Sequence, residues 1–260
     1  MLFEAVSSEY ELGRPSYPEL IFADFINSVG KSQSSENYFE SALEIGSGSG
    51  QATAALAEMA GRLDCIEPGE KFVDLLHGKF GHLESVSIHR TDFERFETRT
   101  RYDLVASACA LHWIPKEYFY NRIHSLFRPH GWFLGLWHQP HFSKLVREII
   151  QETVAPKFAD FSIPTYKTDT ERLFDEGFRD FSDRRGFSNC QKKLYISERK
   201  LSALACSALI WSYVNIGHLS KRDRLSLQES LTKQLEKLSS GELCVQDHFP
   251  VAWGQSSATI

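Results

Sequence analysis

The 260-residue chain is poor in several things, and each shortage narrows what it can be. Cysteine is scarce and badly placed for pairing: Cys65, Cys109, Cys190, Cys206 and Cys244 are scattered, odd in number and never in a Cys-x-x-Cys pair. That argues against a disulfide framework or a zinc site, so no metal is expected and the five are read as small apolar core residues. No apolar stretch approaches the length that spans a bilayer. Glu4, Glu9, Glu11 and Arg14 stand where a signal peptide would be apolar, so the expected setting is cytoplasmic. Lysine and arginine form no long run, and the net charge is -5, so neither nucleic acid nor membrane is an expected partner. What remains is a small molecule. Internal repeats and low-complexity tracts are also missing.

What is present is an ordinary globular composition, with 42% apolar and 24% charged residues, in a chain long enough to bury a full core. The first forty residues hold a polar opening, YELGRPSYPEL, and then IFADFINSVG, where Leu20, Ile21, Phe25 and Ile26 share a helical face and Gly30 sits at the helix end. From 41 to 137 short apolar runs alternate with helical segments, the pattern of a wound α/β sheet. Strands are predicted at 42–45, 62–67, 86–89, 103–109 and 132–137, with helices at 50–60, 69–79 and 116–127. Strands apolar on both faces imply a largely parallel sheet covered on both sides. In the second half, helices are predicted at 141–155, 168–175, 197–215 and 220–238, and strands at 178–187 and 242–253. Leu227, Leu231, Leu235 and Leu238 fall on one face of the last helix, a stripe expected to face a core.

The stretch Leu43 to Gln51, LEIGSGSGQ, follows a predicted strand and precedes a predicted helix. Glycine there lets a ligand approach the backbone, and the helix start offers amide hydrogens. Dinucleotide folds use Gly-x-Gly-x-x-Gly at this place. Here Gly46, Gly48 and Gly50 are spaced by two, and Gln51 occupies the position of the third fingerprint glycine, which speaks against NAD.

The form acid-x-Gly-x-Gly-x-Gly, carried by Glu44, Gly46, Gly48 and Gly50, resembles the first motif of the class I S-adenosylmethionine-dependent methyltransferases. Glu67 ends the second predicted strand in DCIEPGEKF, where a carboxylate accepts both ribose hydroxyls of an adenosine. TDFERF supplies Asp92 and Phe93, which by the resemblance read the adenine amino group and pack on the ring. Ser47, Pro68 and Ser107 complete the implied cofactor contacts. RYDLVASACALHWI resembles the family's fourth strand and exit loop, and LFRPHGWFLGLW its turn into strand five, with Arg128 and His130 as departures in a surface turn. The opening Tyr10-x-x-x-Arg14-Pro-x-Tyr17-Pro is similar to a branch that includes trans-aconitate-like and ubiquinone-biosynthesis-like enzymes (methyltransferase type 11).

The resemblance implies S-adenosyl-L-methionine as cofactor and a seven-stranded, mostly parallel Rossmann-like α/β sheet with a reversed final strand and a helical insertion. On that reading 1–260 is one methyltransferase domain: a flap and helix at 1–40, the cofactor core at 41–137, a lid at 138–177 and completing strands and helices at 178–260. A monomer or homodimer is expected.

Methyl transfer from a sulfonium needs alignment and close approach, and needs a base only if the acceptor still carries a proton. His112 and His138 follow predicted strands at the edge where α/β sheets build sites. His112 is either a general base or a residue that shapes the pocket beside Trp113; His138 is a candidate substrate contact. Arg14 either stiffens the start of the first helix or meets a carboxylate of cofactor or substrate, with Tyr10 and Tyr17 closing the pocket. Phe142, Phe158, Phe161 and Tyr166 are either an apolar lid or core for the insertion. The leading expectation is methylation of a small organic acceptor at an oxygen, carboxylate or hydroxyl. Non-catalytic S-adenosylmethionine binding is the alternative, together with nitrogen or carbon methylation; Ser107-Ala108-Cys109-Ala110 replaces the Asn-Pro-Pro-Tyr-like tetrad that suits amide or base nitrogen.

Overall fold

The structure, a computed structural model, describes residues 7–30, 37–158, 174–175, 181–182, 186–213, 219–238 and 242–257. The chain divides into two compact units. The larger is drawn from Ser16–His138, Arg172–Tyr195 and Phe249–Ile260. It holds α2 (Glu19–Ser28), β1 (Phe39–Ile45), α3 (Thr53–Met59), β2 (Ala60–Ile66), α4 (Glu70–Phe80), β3 (Val86–His89), β4 (Tyr102–Ala108), α5 (Lys116–Ile123) and β5 (Phe127–Leu136), with parts of β7 (Phe187–Leu201) and β8 (Leu243–Ser256).

In this unit β2 and β4 flank β1, β3 flanks β2 and β5 flanks β4, all in parallel. β8 then pairs antiparallel with β5, Trp132 opposite Gln255 through Leu136 opposite Val251. Since β5 takes one edge of β8, β7, which also pairs β8, takes the other. The order in this unit is therefore β3-β2-β1-β4-β5-β8-β7, mostly parallel with a reversed final strand as expected; β6 (Gln139–Phe142), which also pairs β8, makes eight strands among the described residues where seven were expected. Strand order changes direction between β1 and β4, which leaves a crevice at their carboxyl ends.

The two-residue period of the strands sorts their side chains onto two faces. Ala42, Leu63, Leu104, Leu134 and Trp253 meet Ile21, Phe22 and Phe25 of α2 and Leu56 of α3 on one face. Leu43, Ile45, Val105 and Phe133 meet Phe119 and Ile123 of α5 on the other. Both faces of the central strands β1, β4 and β5 are thus covered, which explains their apolar runs. Phe25 packs between Phe39, Trp132 and Trp253, with ring centroids 5.9, 6.3 and 5.9 Å away.

The smaller unit is drawn from Met1–Pro15, Gln139–Glu171 and Ile196–His248. It contains α1 (Ser7–Gly13), β6 (Gln139–Phe142), α6 (Lys144–Thr153), α7 (Ala203–Trp211), α8 (Lys221–Glu236) and the first part of β8, which pairs antiparallel with β6. Ser143, Ser202 and Ser220 cap α6, α7 and α8, each hydroxyl accepting from the backbone amide three residues on, at 3.4, 3.2 and 3.1 Å. Leu231 and Leu235 are fully buried with Leu227 and Leu238 against the same cluster, so the leucine stripe faces a core. Phe142 and Phe158 lie in that core too.

Several expectations change. Leu20 is 61% exposed, and Ile21, Phe22 and Phe25 form the buried face of α2. The polar opening is helical over Ser7–Gly13, and Gly13 lets it close on α7: a Cβ there would lie 2.3 Å from the Leu209 amide nitrogen. The helix predicted from 197 begins at Ala203, because 197–201 end the long strand β7. The helix predicted from 141 begins at Lys144, after the strand β6. Of the cysteines, Cys65 and Cys206 are buried, Cys109 and Cys190 partly so, and Cys244 is exposed. The helix expected at 168–175 and the strand at 178–187 fall mostly outside the described residues, as do Phe161 and Tyr166. No helix among the described residues is long and apolar enough to cross a membrane.

Candidate active site

The glycine loop leaves β1 at the switch point. Gly46, Gly48 and Gly50 all have positive φ (70°, 55° and 92°), a conformation costly for other residues, so their alternation is conformational first. Two of them are also packing requirements. A Cβ on Gly46 would lie 2.3 Å from the Ala110 Cβ, and one on Gly50 would lie 2.5 Å from the Phe80 ring. Gly48 differs: nothing lies within 4 Å of its would-be Cβ, so the loop crest faces open space. Gln51, where a dinucleotide site would carry glycine, donates from its amide to Ser49 Oγ at 2.6 Å. The following helix starts at Thr53, later than expected.

Glu44 lies beneath the loop with no exposed surface. Its Oε2 accepts from Thr53 Oγ1 at 2.6 Å and from the Cys65 thiol at 3.7 Å, while Oε1 has no hydrogen-bond partner. Burial pushes its carboxyl up to about 7, against the pull of Thr53, Ser47 and Cys65, and the charge of Glu67 adds to the rise. Ser47 Oγ, also buried, has no well-formed hydrogen bond.

Glu67 closes the same loop from the end of β2. Its Oε2 accepts from the Gly48 amide at 3.0 Å and its Oε1 from the Gly69 amide at 2.8 Å. Pro68, beside it, is half-buried. Ser107 donates from Oγ to Ile45 O at 3.0 Å, tying β4 to β1 where the loop begins.

The exit of β4 adds a feature that pattern reading could not supply. Cys109 has φ 53°, rare for a residue with a side chain, and its amide donates to Leu136 O at 2.8 Å. The turn sets its thiol 3.4 Å from Tyr17 OH and 3.2 Å from the His138 amide. Tyr17 and His138, both buried, each meet the Phe249 ring, at 5.6 and 5.2 Å between centroids. Tyr17, Cys109 and His138 thus form one cluster at the carboxyl edge of the sheet. No sequence signal marks Cys109, because asparagine and glycine, not cysteine, favour positive φ.

The other expected site residues make contacts of their own. Asp92 accepts from the Arg95 amide at 2.8 Å and holds a turn. Phe93 is a core ring, packed against Phe119 and Tyr118 at 5.7 and 6.1 Å. His112 and Trp113 sit on an exposed 3₁₀ turn, their rings 5.0 Å apart. Tyr10 and Arg14 belong to the smaller unit, where the guanidinium donates to Ser212 Oγ at 2.8 Å and Tyr213 OH at 2.7 Å and lies 4.7 Å from the Tyr10 ring. Among the described residues no group of three or more His, Cys, Asp or Glu is placed to hold a metal ion.

Residues 42–131 match the family model described as "Methyltransferase domain". No curated protein sequence matches the chain. Among solved structures, the chain is similar to a protein from Anaeromyxobacter dehalogenans assigned as a type II methyltransferase, with TM-score 0.61, 19% identity, and 94% of this chain and 97% of that one covered. It is also similar to YcgJ from Bacillus subtilis (TM-score 0.51, 10% identity, 93% and 100% covered). A third likeness is to a SAM-dependent methyltransferase from Thiobacillus denitrificans solved with S-adenosyl-L-homocysteine (TM-score 0.50, 13% identity, 98% and 97% covered). At these identities the structural likeness speaks for the fold, and the family match speaks for the segment from β1 into β5 that carries the glycine loop, Glu67 and the β4 exit. Over residues 42–131 the chain thus resembles a methyltransferase domain, within a fold that it shares with solved methyltransferases.

Proposed function

We propose that the chain transfers the methyl group of S-adenosylmethionine to an oxygen of a small organic acceptor, a carboxylate or hydroxyl. The observation that carries the cofactor assignment is the loop itself. Gly48 leaves open space at the loop crest, Glu67 holds the Gly48 and Gly69 amides, and Glu44 stands buried near the end of β1. When bound, the cofactor supplies a methyl group on a sulfonium, an electrophile that needs no activation by the protein. Glu44, Gly46, Ser47, Gly48 and Gly50 would then cradle its amino-acid end. Glu67 and Pro68 would hold its ribose, with Asp92 and Phe93 toward its base and Ser107 keeping β4 in place.

The protein's work is alignment and exclusion of water. Tyr17 and His138, held around Cys109, line the carboxyl edge of the sheet with groups that can orient an oxygen acceptor. His112, the candidate general base, stands on an exposed turn. A carboxylate acceptor is already ionised at neutral pH and asks for no such base. A further part of the proposal gives Trp113 to the pocket rim and makes the chain a soluble monomer or homodimer working in the cytoplasm. The test is a screen of carboxylates, phenols and amines with radiolabelled methyl donor: label in carboxylates or phenols supports the reading, and label in amines alone overturns it.

A further inference from the structure

We propose that a cavity of about 380 Å³ beneath β2 and β3, which shares no lining residue with the glycine loop, binds a small molecule through a phosphomonoester group. Its lining includes Arg62, Asp64, His89, Arg90, Arg95 and Glu97. Arg62 and Asp64 share one face of β2, and His89 ends β3 on the same face, so the strands bring together residues far apart in sequence.

The floor is built around a buried carboxylate. Asp64 is 2% exposed; it accepts from Tyr102 OH at 2.8 Å and from Arg62 Nη2 at 3.2 Å, and its Oδ1 lies 3.1 Å from His89 Nε2. Burial, with Asp64 alongside, pushes the Tyr102 phenol up, so it stays a donor. Asp64 therefore orients a guanidinium and an imidazole at the cavity wall, and the second imidazole nitrogen is left for another partner. The opposite wall, within residues 90–98, is pinned by Arg122, which donates to the carbonyls of Phe93 (2.6 Å), Glu94 (2.8 Å) and Phe96. The His89 ring packs 5.5 Å from Phe96.

Three guanidiniums around one cavity suit a dianion, since the planar fork binds phosphate oxygens two at a time. Arg90 and Arg95 now pair with Glu70 at 3.0 Å and Asp92 at 3.3 Å, but both pairs are well exposed. Such exposed pairs contribute little and yield readily to a phosphate dianion. The cavity is larger than a phosphate ion and reaches the lower end of the size of small-molecule sites, about 300 Å³ and above. Glu97 offers an acceptor to a hydroxyl on the organic part. The motif escaped the sequence reading because acids alternate with the arginines in RTDFERFETRTR, which hides a basic surface from any count of charge.

The test is calorimetric titration with inorganic phosphate and with glycerol 3-phosphate at fixed ionic strength, with and without saturating S-adenosylhomocysteine. Both anions should bind saturably, glycerol 3-phosphate more tightly, and neither should be displaced by S-adenosylhomocysteine. Arg62→Gln and Arg90→Gln should each weaken binding by about tenfold, with wild-type circular dichroism retained. No saturable heat beyond a chloride control, undiminished binding in the double variant, or displacement by S-adenosylhomocysteine would each overturn the proposal. The titrations made without S-adenosylhomocysteine read this site even if the cofactor assignment fails.

Discussion

Replacing Glu44 by glutamine isolates the cost of keeping a carboxylate under the glycine loop. The native carboxyl is fully buried and raised from 4.5 to about 7, first by burial. A carboxyl whose folded pKa exceeds its unfolded one binds more protons in the folded state between the two values. Stability must then fall as pH rises from about 4.5 to about 7, and level off above. The shift corresponds to about 3 kcal/mol across that window, at roughly 1.4 kcal/mol per pH unit. Glutamine keeps the shape and an oxygen for Thr53 Oγ1 but cannot ionise. Relative to the native protein, Glu44→Gln should therefore gain about 3 kcal/mol between pH 4.5 and pH 8. Urea unfolding of both proteins followed by tryptophan fluorescence at pH 4.5, 6, 7 and 8 measures the difference. Two stability curves that run parallel through this range would refute the reasoning, since they would mean that Glu44 ionises without penalty.

Glu67→Ala removes an acceptor from the Gly48 and Gly69 amides and, on the proposed reading, from the cofactor ribose; calorimetry should show S-adenosylhomocysteine affinity falling by about tenfold to a hundredfold. Gly46→Ala must force a Cβ into Ala110 at φ 70°, so thermal unfolding should reveal a loss of about 2–4 kcal/mol. His112→Ala should lower turnover on the screened acceptor by less than about tenfold; a loss of about a hundredfold or more would make the histidine a general base.

The parallel core was legible because its signals are local. The strands from β1 to β5 are marked by short apolar segments such as Leu104–Val105 and Trp132–Leu134, and glycine at 46, 48 and 50 meets a conformational demand that the sequence spells directly. The residues that escaped are those whose role depends on what presses against them. Lys192, Lys193, Glu198, Arg199 and Lys200 carry no strand preference, yet pairing with β8 holds 187–201 extended, and Asp247 anchors Arg199 there. Leu20 has the spacing of a core residue but falls just outside the face that α2 buries. In the site, Glu44 could be read from its place near the end of β1 and Glu67 from its place just after β2. Cys109 could not, because its φ is imposed by the β4 exit, and Phe93 faces the core because α5 supplies Phe119 as a neighbour.

The central claim is that this glycine loop admits S-adenosylmethionine and not a dinucleotide. Titration calorimetry of the protein with S-adenosylmethionine, S-adenosylhomocysteine and NAD in turn tests it most directly. Saturable one-to-one binding of the first two with no heat from NAD is the predicted result; binding of NAD alone, or of none of the three, would contradict it.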